Sequence, residues 1–301
     1  MIPVILLALI LGLQPTAEQT QPVRRGMRLE VHTYNGDVDI RTWARDEVKL
    51  ETERTDRDAV SVRATDSALV IRNRSRSSGS VDYHLTIPAW MAVSVEGQRA
   101  DVVIDGVGSD VSVESTRGDI TVRGGSGFIS VKSVLGRIVI ERARGRVEAQ
   151  TVNESIQLSD VSGEVVVGTT NGRIDLDRVD TANLEAYTVN GGIAYDGPVK
   201  DRGLYRITTH NGLVSLAVPE RANATLHVRT YGGSFRASFP ITIDNPERRN
   251  RFIATLGDGS ARVELESFNG PIMLRRPGEP RPQSDRDRQR ERERDRRRSP
   301  Q

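Results

Sequence analysis

The pattern of hydrophobic and polar positions along the chain repeats every nine residues. Counting in nines from Val93, ten successive positions are β-branched aliphatic residues: Val93, Val102, Val111, Ile120, Ile129, Ile138, Val147, Ile156, Val165 and Ile174. The positions two residues later are apolar as well: Val95, Ile104, Val113, Val122, Val131, Ile140, Ala149, Leu158, Val167 and Leu176. Because side chains two residues apart lie on one face of a strand, each unit predicts a short β-strand followed by a tight turn.

The turns between these units are of two alternating types, and the alternation sets the size of one coil. Every second unit ends in a hydroxyl residue that is followed, after one residue, by Asn-Gly or a related pair: Ser115, Ser133, Thr151, Thr169, Thr188, Thr209, Thr230 and Ser267. The intervening turns carry a small or apolar residue: Val107, Gly125, Ala143, Val161 and Val179. Equivalent turns recur every eighteen residues, so one coil holds two strands. The sequence therefore predicts an all-β fold, a two-sheet parallel β-solenoid in which residue i stacks on residue i+18 at about 4.8 Å.

The Asn-Gly corners suggest how successive coils are joined. We expect the corner asparagines to stack as an amide ladder: Asn153, Asn171, Asn190, Asn211 and Asn269. We expect the column of Ser and Thr hydroxyls beside them to form a hydrogen-bonded ladder of its own. We expect the corner glycines to supply a positive φ: Gly118, Gly136, Gly172, Gly191, Gly212, Gly233 and Gly270.

The repeat loosens toward both ends of the chain. Ile193, Val214 and Phe235 follow Ile174 at spacings of 19, 21 and 21 residues, which places insertions in the corners. Stacking in sequence order predicts about nine coils between Val93 and Leu274, with residues 240–259 as the longest interruption. Residues 27–92 carry the pattern once, as "VHTYNGDVDI", and then alternating strands that should add coils or cap the exposed N-terminal end.

The first residues favour export from the cell. Ile2 to Leu13 form an apolar run of twelve residues, which is too short to span a bilayer but suits a secretion signal. We expect cleavage after Ala17, which assigns residues 1–17 to a signal peptide and 18–26 to a linker. The mature protein would then be periplasmic or at the cell surface, and not an integral membrane protein. No basic residue precedes the run and Pro15 stands near the cleavage site, so a retained short anchor and a buried strand remain alternatives.

The amino-acid composition excludes several classes of functional site and sets the C-terminal segment apart. The chain is 36% hydrophobic but only 4% aromatic, and it lacks Cys, which excludes disulfides and a thiol nucleophile. Its formal net charge of +2 gives no signature of specific nucleic-acid binding. From Pro277 onward there are nine arginines, six acidic residues and no apolar side chain except Pro. Residues 276–301 are therefore predicted to be a disordered tail, either solvating or in weak contact with a polyanion.

The order of these motifs resembles one bacterial family. "NGDVDIRTW", then the strand "VDYHLTIPA" that contains Pro88, then serial "S/T-x-N/R-G-D/R-I-x-V" units are similar to the "putative adhesin" domains of unknown function, related to the heads of autotransporter adhesins. The resemblance covers residues 27 to 275. It implies an exported β-solenoid and brings no catalytic residues with it, whereas the Arg-rich tail departs from the usual pattern.

No group of residues predicts catalysis, a metal or a cofactor. The histidines His32, His84, His210 and His227 lack metal-ligand spacing, and the outward positions change type from coil to coil. "GVGSDVSV" at 106–113 fits a calcium-binding repeat loosely, but the next units lack its Asp. "RGD" at 117–119 is explained by the need for Gly118 in the corner. We therefore predict that the protein is not an enzyme and holds no cofactor.

Two function classes remain. The first is a non-catalytic adhesin or interaction scaffold of the cell envelope, which presents a rigid surface to an envelope protein or glycan. The second is a carbohydrate-binding or carbohydrate-active solenoid, whose ligand loop would contain Asp244, Asn245, Arg248, Arg249 and Arg251. The first is favoured because the regularity of the sequence lies in its core and corners, without converging polar groups.

Overall fold

The computed structural model describes residues 17–52, 60–73, 80–244 and 251–281. The expected signal segment before Ala17, three members of the expected ligand loop (Asn245, Arg248 and Arg249) and the tail after Arg281 lie outside the described residues. All regular structure in the described part is β: 26 strands form two sheets of 13 strands each. The predicted all-β, two-sheet parallel solenoid is confirmed.

The two sheets lie on opposite sides of one apolar core. Sheet A consists of β1 (Ala17–Pro22), β3 (Val38–Trp43), β4 (Glu47–Thr52), β7 (Tyr83–Pro88), β9 (Val102–Asp105), β11 (Ile120–Arg123), β13 (Ile138–Glu141), β15 (Ile156–Ser159), β17 (Ile174–Asp177), β19 (Ile193–Asp196), β21 (Val214–Ala217), β23 (Phe235–Ala237) and β26 (Ile272–Arg275). Sheet B consists of β2 (Arg28–Asn35), β5 (Val60–Ala64), β6 (Ala68–Asn73), β8 (Ala92–Arg99), β10 (Val111–Arg117), β12 (Ser126–Leu135), β14 (Arg144–Gln150), β16 (Ser162–Thr169), β18 (Asp180–Asn190), β20 (Leu204–Asn211), β22 (Ala224–Thr230), β24 (Arg251–Leu256) and β25 (Ala261–Ser267).

The central coils stack in the predicted register of eighteen residues. Val111 pairs with Ile129 in sheet B, and Ile120 pairs with Ile138 in sheet A. These side chains are fully buried, as are their equivalents in the neighbouring coils. The nine-residue columns therefore form a thin dry core, since a sheet that buries one face must pack that face against another layer.

The last coils do not stack in the order of the sequence. Stacking in chain order would place β22 beside β20, but the structure inserts β25 between them, and β26 likewise separates β21 from β23. The inserted coil carries Asn269, which continues the amide ladder from Asn211, whereas the coil of β22 has Gly232 at that position. The coil that can extend the ladder therefore takes the inner position in the stack. Strand β24 pairs with the free edge of β22 in antiparallel orientation and covers it.

The N-terminal end is built in a similar way. The coil of β2 and β3 lies inside the later coil of β6 and β7, and antiparallel strands cover the outer edges of that later coil. The predicted linker over residues 18–26 is wrong in its first half, because Ala17–Pro22 is strand β1, which pairs with β4 along its full length. An unpaired β4 edge would expose a row of backbone donors and acceptors, and β1 satisfies them.

The residues after the last strand form a strap across the outer face of sheet A, where a disordered tail from residue 276 was predicted. The side chain of Arg275 is only 2% exposed, and its Nη2 lies 2.9 Å from the carboxylate of Asp196. Arg281 then reaches back to strand β17, where its guanidinium lies 3.1 Å from Asp175 and 3.0 Å from Asp177. The prediction of disorder is therefore wrong for residues 276–281, because these acidic side chains bind Arg281 and hold the segment against the sheet.

Candidate functional site on the outer face of sheet B

The corner asparagines form one continuous hydrogen-bonded column. Each amide Nδ2 donates to the Oδ1 of the preceding coil: the distances are 3.0 Å from Asn171 to Asn153, 2.8 Å from Asn190 to Asn171, 2.8 Å from Asn211 to Asn190 and 3.1 Å from Asn269 to Asn211. The column runs along one edge of the solenoid and fixes the relative position of five coils at the surface.

The hydroxyl column does not form a ladder of its own, so that prediction is wrong. Each hydroxyl donates instead to a corner carbonyl of the preceding coil, as from Thr151 to Gly136 (3.0 Å) and from Thr209 to Gly191 (2.8 Å). Ser133 is an exception, because its buried Oγ has no partner among the described residues. A backbone carbonyl is the better acceptor here, since the corner would otherwise leave it unpaired beneath the next coil.

The corner glycines are required for close stacking and not, in general, for a positive φ. Of the seven named above only Gly118 has a positive φ, of 121°. A Cβ atom on Gly136, Gly191 or Gly233 would lie 1.8 Å from the carbonyl oxygen of the preceding glycine in the stack. Glu154 takes the equivalent position in one coil, where strand β14 ends early at Gln150 and the corner has a different shape.

Positive φ values occur in the other column of corners. Gly106, Gly124, Arg142, Asp160 and Arg178 follow one another at eighteen-residue spacing, with φ between 50° and 103°. Three of these residues are not glycine, and a positive φ costs energy in any residue that carries a Cβ atom. The ion pair between Arg178 and Asp160, with two contacts of 2.7 and 2.9 Å, offsets part of this cost at two of these corners.

Removing one amide from the ladder should weaken the stack measurably. Asn171→Ala removes the bonds to both Asn153 and Asn190, and we expect a loss of about 1 kcal/mol in the free energy of unfolding. Thr170→Ala, on the exposed neighbouring position, is the matched control. Urea denaturation monitored by circular dichroism measures the difference. Equal midpoints for the two variants would contradict a stabilising role for the ladder.

A long groove crosses the outer face of sheet B toward the C-terminal end of the solenoid. It spans β16, β18, β20, β25, β22 and β24, and we call it the outer groove. Its two parts measure about 560 and 430 Å³ and share Arg206, Arg262 and Glu264 as lining residues, so they are continuous. Residues of six strands therefore line one concavity, which is the usual setting of a binding site.

Strand register aligns five polar and aromatic side chains in one row, and four of them, Thr208, Glu266, Arg229 and Arg251, line the groove. Tyr187 pairs with Thr208, Thr208 with Glu266, Glu266 with Arg229, and Arg229 with Arg251. We call these five residues the contact row. They come from five neighbouring strands, so the row extends over about 19 Å at the normal spacing between strands.

Tyr187 lies flat at one end of the contact row. A Cβ atom on Gly168, its partner on β16, would lie 2.2 Å from the Cε1 and Cζ atoms of the Tyr187 ring. The glycine therefore provides the space in which the ring rests against the backbone. The side of the ring away from the sheet is open to solvent, and Tyr187 is 43% exposed.

Four arginines and four glutamates line the outer groove. Arg206 and Arg262 both bind Glu264, at 3.1 and 2.7 Å, and Arg229 binds Glu266 at 3.2 Å. The hydrogen bond from Arg262, with help from Arg206, lowers the pKa of Glu264, so this carboxylate stays charged in mildly acidic solution. The fourth arginine, Arg251, has no ion-pair partner within the described part of the chain.

Arg229 and Arg251 are directly opposite each other on antiparallel strands. Like charges in this position repel, and one Glu266 compensates only one of the two guanidinium groups. The groove thus carries an excess of positive charge at the end of the contact row that is farthest from Tyr187.

A short stack of rings borders the groove on the side of the asparagine ladder. His210 and Phe268 are parallel, with ring centroids 4.6 Å apart, and Tyr231 continues the stack at 5.0 Å. Phe268 lies between the other two rings, and Tyr231 at the end of the stack is 54% exposed. We infer that the stack acts as a rigid wall of the groove.

The structure places the expected ligand-loop residues only partly in this groove. Arg251 lines the groove. Asp244 does not line it, and its carboxylate accepts a hydrogen bond from the Thr255 hydroxyl at 2.7 Å. The sequence did not identify Tyr187 of the contact row or these groove residues: Arg206, Thr208, Arg229, Arg262, Glu264 and Glu266. Their alternation outward along strands is a visible signal, but their adjacency depends on the insertion of β25 between β20 and β22.

Two further features of the described residues bear on the chemistry. They contain no group of three or more acidic or His side chains that could hold a metal ion. They also contain no helix that is long and apolar enough to cross a membrane.

Comparison with solved structures finds distant similarity to several bacterial proteins. A "putative cell adhesion protein" from Clostridium sporogenes is 10% identical over 87% of this chain and 100% of its own, with a TM-score of 0.26. A "putative adhesin" from Bacteroides fragilis is 12% identical over 87% and 97% of the two chains, with a TM-score of 0.36. One from Parabacteroides merdae is 9% identical over 86% and 95%, with a TM-score of 0.45. No protein of curated function matches the chain significantly.

A family model matches residues 27–275, the same span that the resemblance covered. Strands β2 to β26, and thus all the coils described above, lie within this match. The chain therefore belongs to the Toastrack DUF4097 family.

Proposed function

We propose that this protein is a non-catalytic interaction scaffold of the bacterial cell envelope, exported and adhesin-like, with the outer groove as its contact surface. The observation that carries the proposal is the continuous groove on one face of a stack whose coils are locked by the asparagine ladder. A rigid face of this kind can hold a partner without ordering any segment of its own chain, which lowers the entropic cost of binding.

Export is supported by the apolar run from Ile2 to Leu13, which is typical of a secretion signal. The non-catalytic role is supported by the charges in the groove. Arg262 and Arg206 bind Glu264 and lower its pKa, so this carboxylate is poorly suited to act as a general acid near neutral pH.

Cell fractionation tests this proposal. We expect the full chain in the envelope fraction, with equal retention of a chain that ends at Arg281, because that truncation keeps the strap on sheet A. Arg251→Glu should release the protein into the soluble fraction at lower salt, and Arg137→Glu, exposed outside the groove, is the control. A cytoplasmic location would contradict the proposal. Loss of retention only on removing the tail would transfer the contact from the groove to the Arg-rich segment.

Carbohydrate binding is the second candidate, and one observation favours it. The exposed face of Tyr187, held flat by Gly168, is the kind of surface on which sugar rings stack.

A further inference from the structure

We propose that the contact row of the outer groove binds an acidic polysaccharide, with its sugar rings on Tyr187 and its carboxylate groups on Arg229 and Arg251. This inference rests on the proposed function and names the ligand class of the same surface. Two independent features lead to it, one at each end of the row.

The first feature is the aromatic platform. An aromatic ring attracts partially positive C–H groups to its face, and the two faces of a pyranose ring carry such groups. Tyr187 offers one open face because the other rests against Gly168. Thr208, the next residue in the row, adds a hydroxyl that can donate to or accept from a sugar hydroxyl. These two residues alone could bind a neutral sugar chain.

The second feature is the excess positive charge. Arg229 and Arg251 repel each other across the antiparallel pair, and Glu266 neutralises only one of them. A carboxylate between the two guanidinium groups would remove this repulsion and form charge-assisted hydrogen bonds. The site therefore distinguishes an acidic chain from a neutral one.

The dimensions of the row fit a polymer better than a single sugar. Tyr187 and Arg251 lie on strands four steps apart, about 19 Å. A ligand that reaches both must be a chain of several sugar units, and the four row residues beyond Tyr187 line the groove from β20 to β24. The wall formed by His210, Phe268 and Tyr231 borders the line on one side.

Calorimetric titration of the full mature chain with a galacturonic acid oligomer tests the inference. Its methyl ester, which has the same sugar rings without charge, is the matched ligand, and a sulfated heparin oligomer distinguishes carboxylate recognition from general anion binding. We expect the acid to bind at least tenfold more tightly than the ester and to lose affinity as salt is raised. Heparin should bind no more tightly than the carboxylate oligomer.

Two variants and two controls locate the site. Tyr187→Ala and Arg251→Glu should each weaken binding of the acidic oligomer about tenfold or more. Phe128→Ala, an exposed ring on the same sheet but outside the groove, and Arg137→Glu should change it less than about twofold. The inference is overturned by equal binding of acid and ester, by tighter binding of heparin, by wild-type affinity in both groove variants, or by no binding of any of the three glycans. Envelope retention that persists without glycan binding would leave the scaffold function standing and indicate a protein partner.

Discussion

Replacing Ile138 by Asp should unfold several coils of the solenoid together. Ile138 is fully buried and stacks between Ile120 and Ile156 in sheet A. The core between the two sheets is dry, so the carboxylate would find neither water nor a counter-charge there. We expect a loss of about 4 kcal/mol or more in the free energy of unfolding, measured by urea denaturation.

Arg137→Asp is the matched control for this substitution. Arg137 precedes Ile138 by one residue and is exposed, so the same new charge would be placed in solvent. The backbone N–H of residue 137, which donates to Asp119, is retained, and only a repulsion of about 0.5 kcal/mol is added. Similar losses in the two variants would show that the inward and outward positions have been assigned incorrectly.

Replacing Gly191 by Ala should also destabilise the protein strongly, although it adds a single methyl group. That methyl carbon would lie 1.8 Å from the carbonyl oxygen of Gly172. The same oxygen accepts the Thr188 hydroxyl at 3.0 Å, so the carbonyl cannot move away without losing this bond. We expect a loss of about 3 kcal/mol and a clear decrease in the thermal midpoint.

Gly108→Ala provides the comparison for Gly191→Ala. At Gly108 the nearest atom to an added Cβ is the carbonyl oxygen of Ala89, at 3.4 Å, and the φ is not positive. This variant should stay within about 0.5 kcal/mol of the native protein. If both alanine variants melt at the same temperature, close stacking of the corner glycines is not what the fold requires.

The central coils could be predicted from the sequence because their determinants are local and periodic. A buried position at every second residue defines each strand, and the eighteen-residue recurrence of the corners fixes which strands stack. A slip of one residue would turn Ile138 and its column outward, so the register is strongly specified. The asparagine column follows from the same register, since Asn153 and Asn171 are eighteen residues apart.

The ends of the solenoid could not be predicted in this way. Whether β22 or β25 lies beside β20 depends on competition between two distant segments with nearly the same pattern. The antiparallel strands β1 and β24 have no counterpart in the repeat, because they pair with edges and do not form coils. Periodicity gives no information on such long-range choices.

The outer groove was missed for the same reason. Glu264 and Glu266 belong to β25, and they contact Arg206 and Arg229 only because this strand lies between β20 and β22. The role of the corner glycines was also misjudged, since closeness to the next coil and a positive φ favour the same residue type. The backbone angles separate these two causes, because six of the seven corner glycines have no positive φ.

The contact surface can be identified most directly by photo-crosslinking in living cells. One photoreactive residue replaces Ile253, exposed on β24 at the rim of the outer groove, and a second replaces Gln157, exposed on the outer face of sheet A. The scaffold function predicts covalent adducts with envelope material at position 253 and none at position 157. Adducts at position 157 alone would contradict it and would place the contact surface on sheet A.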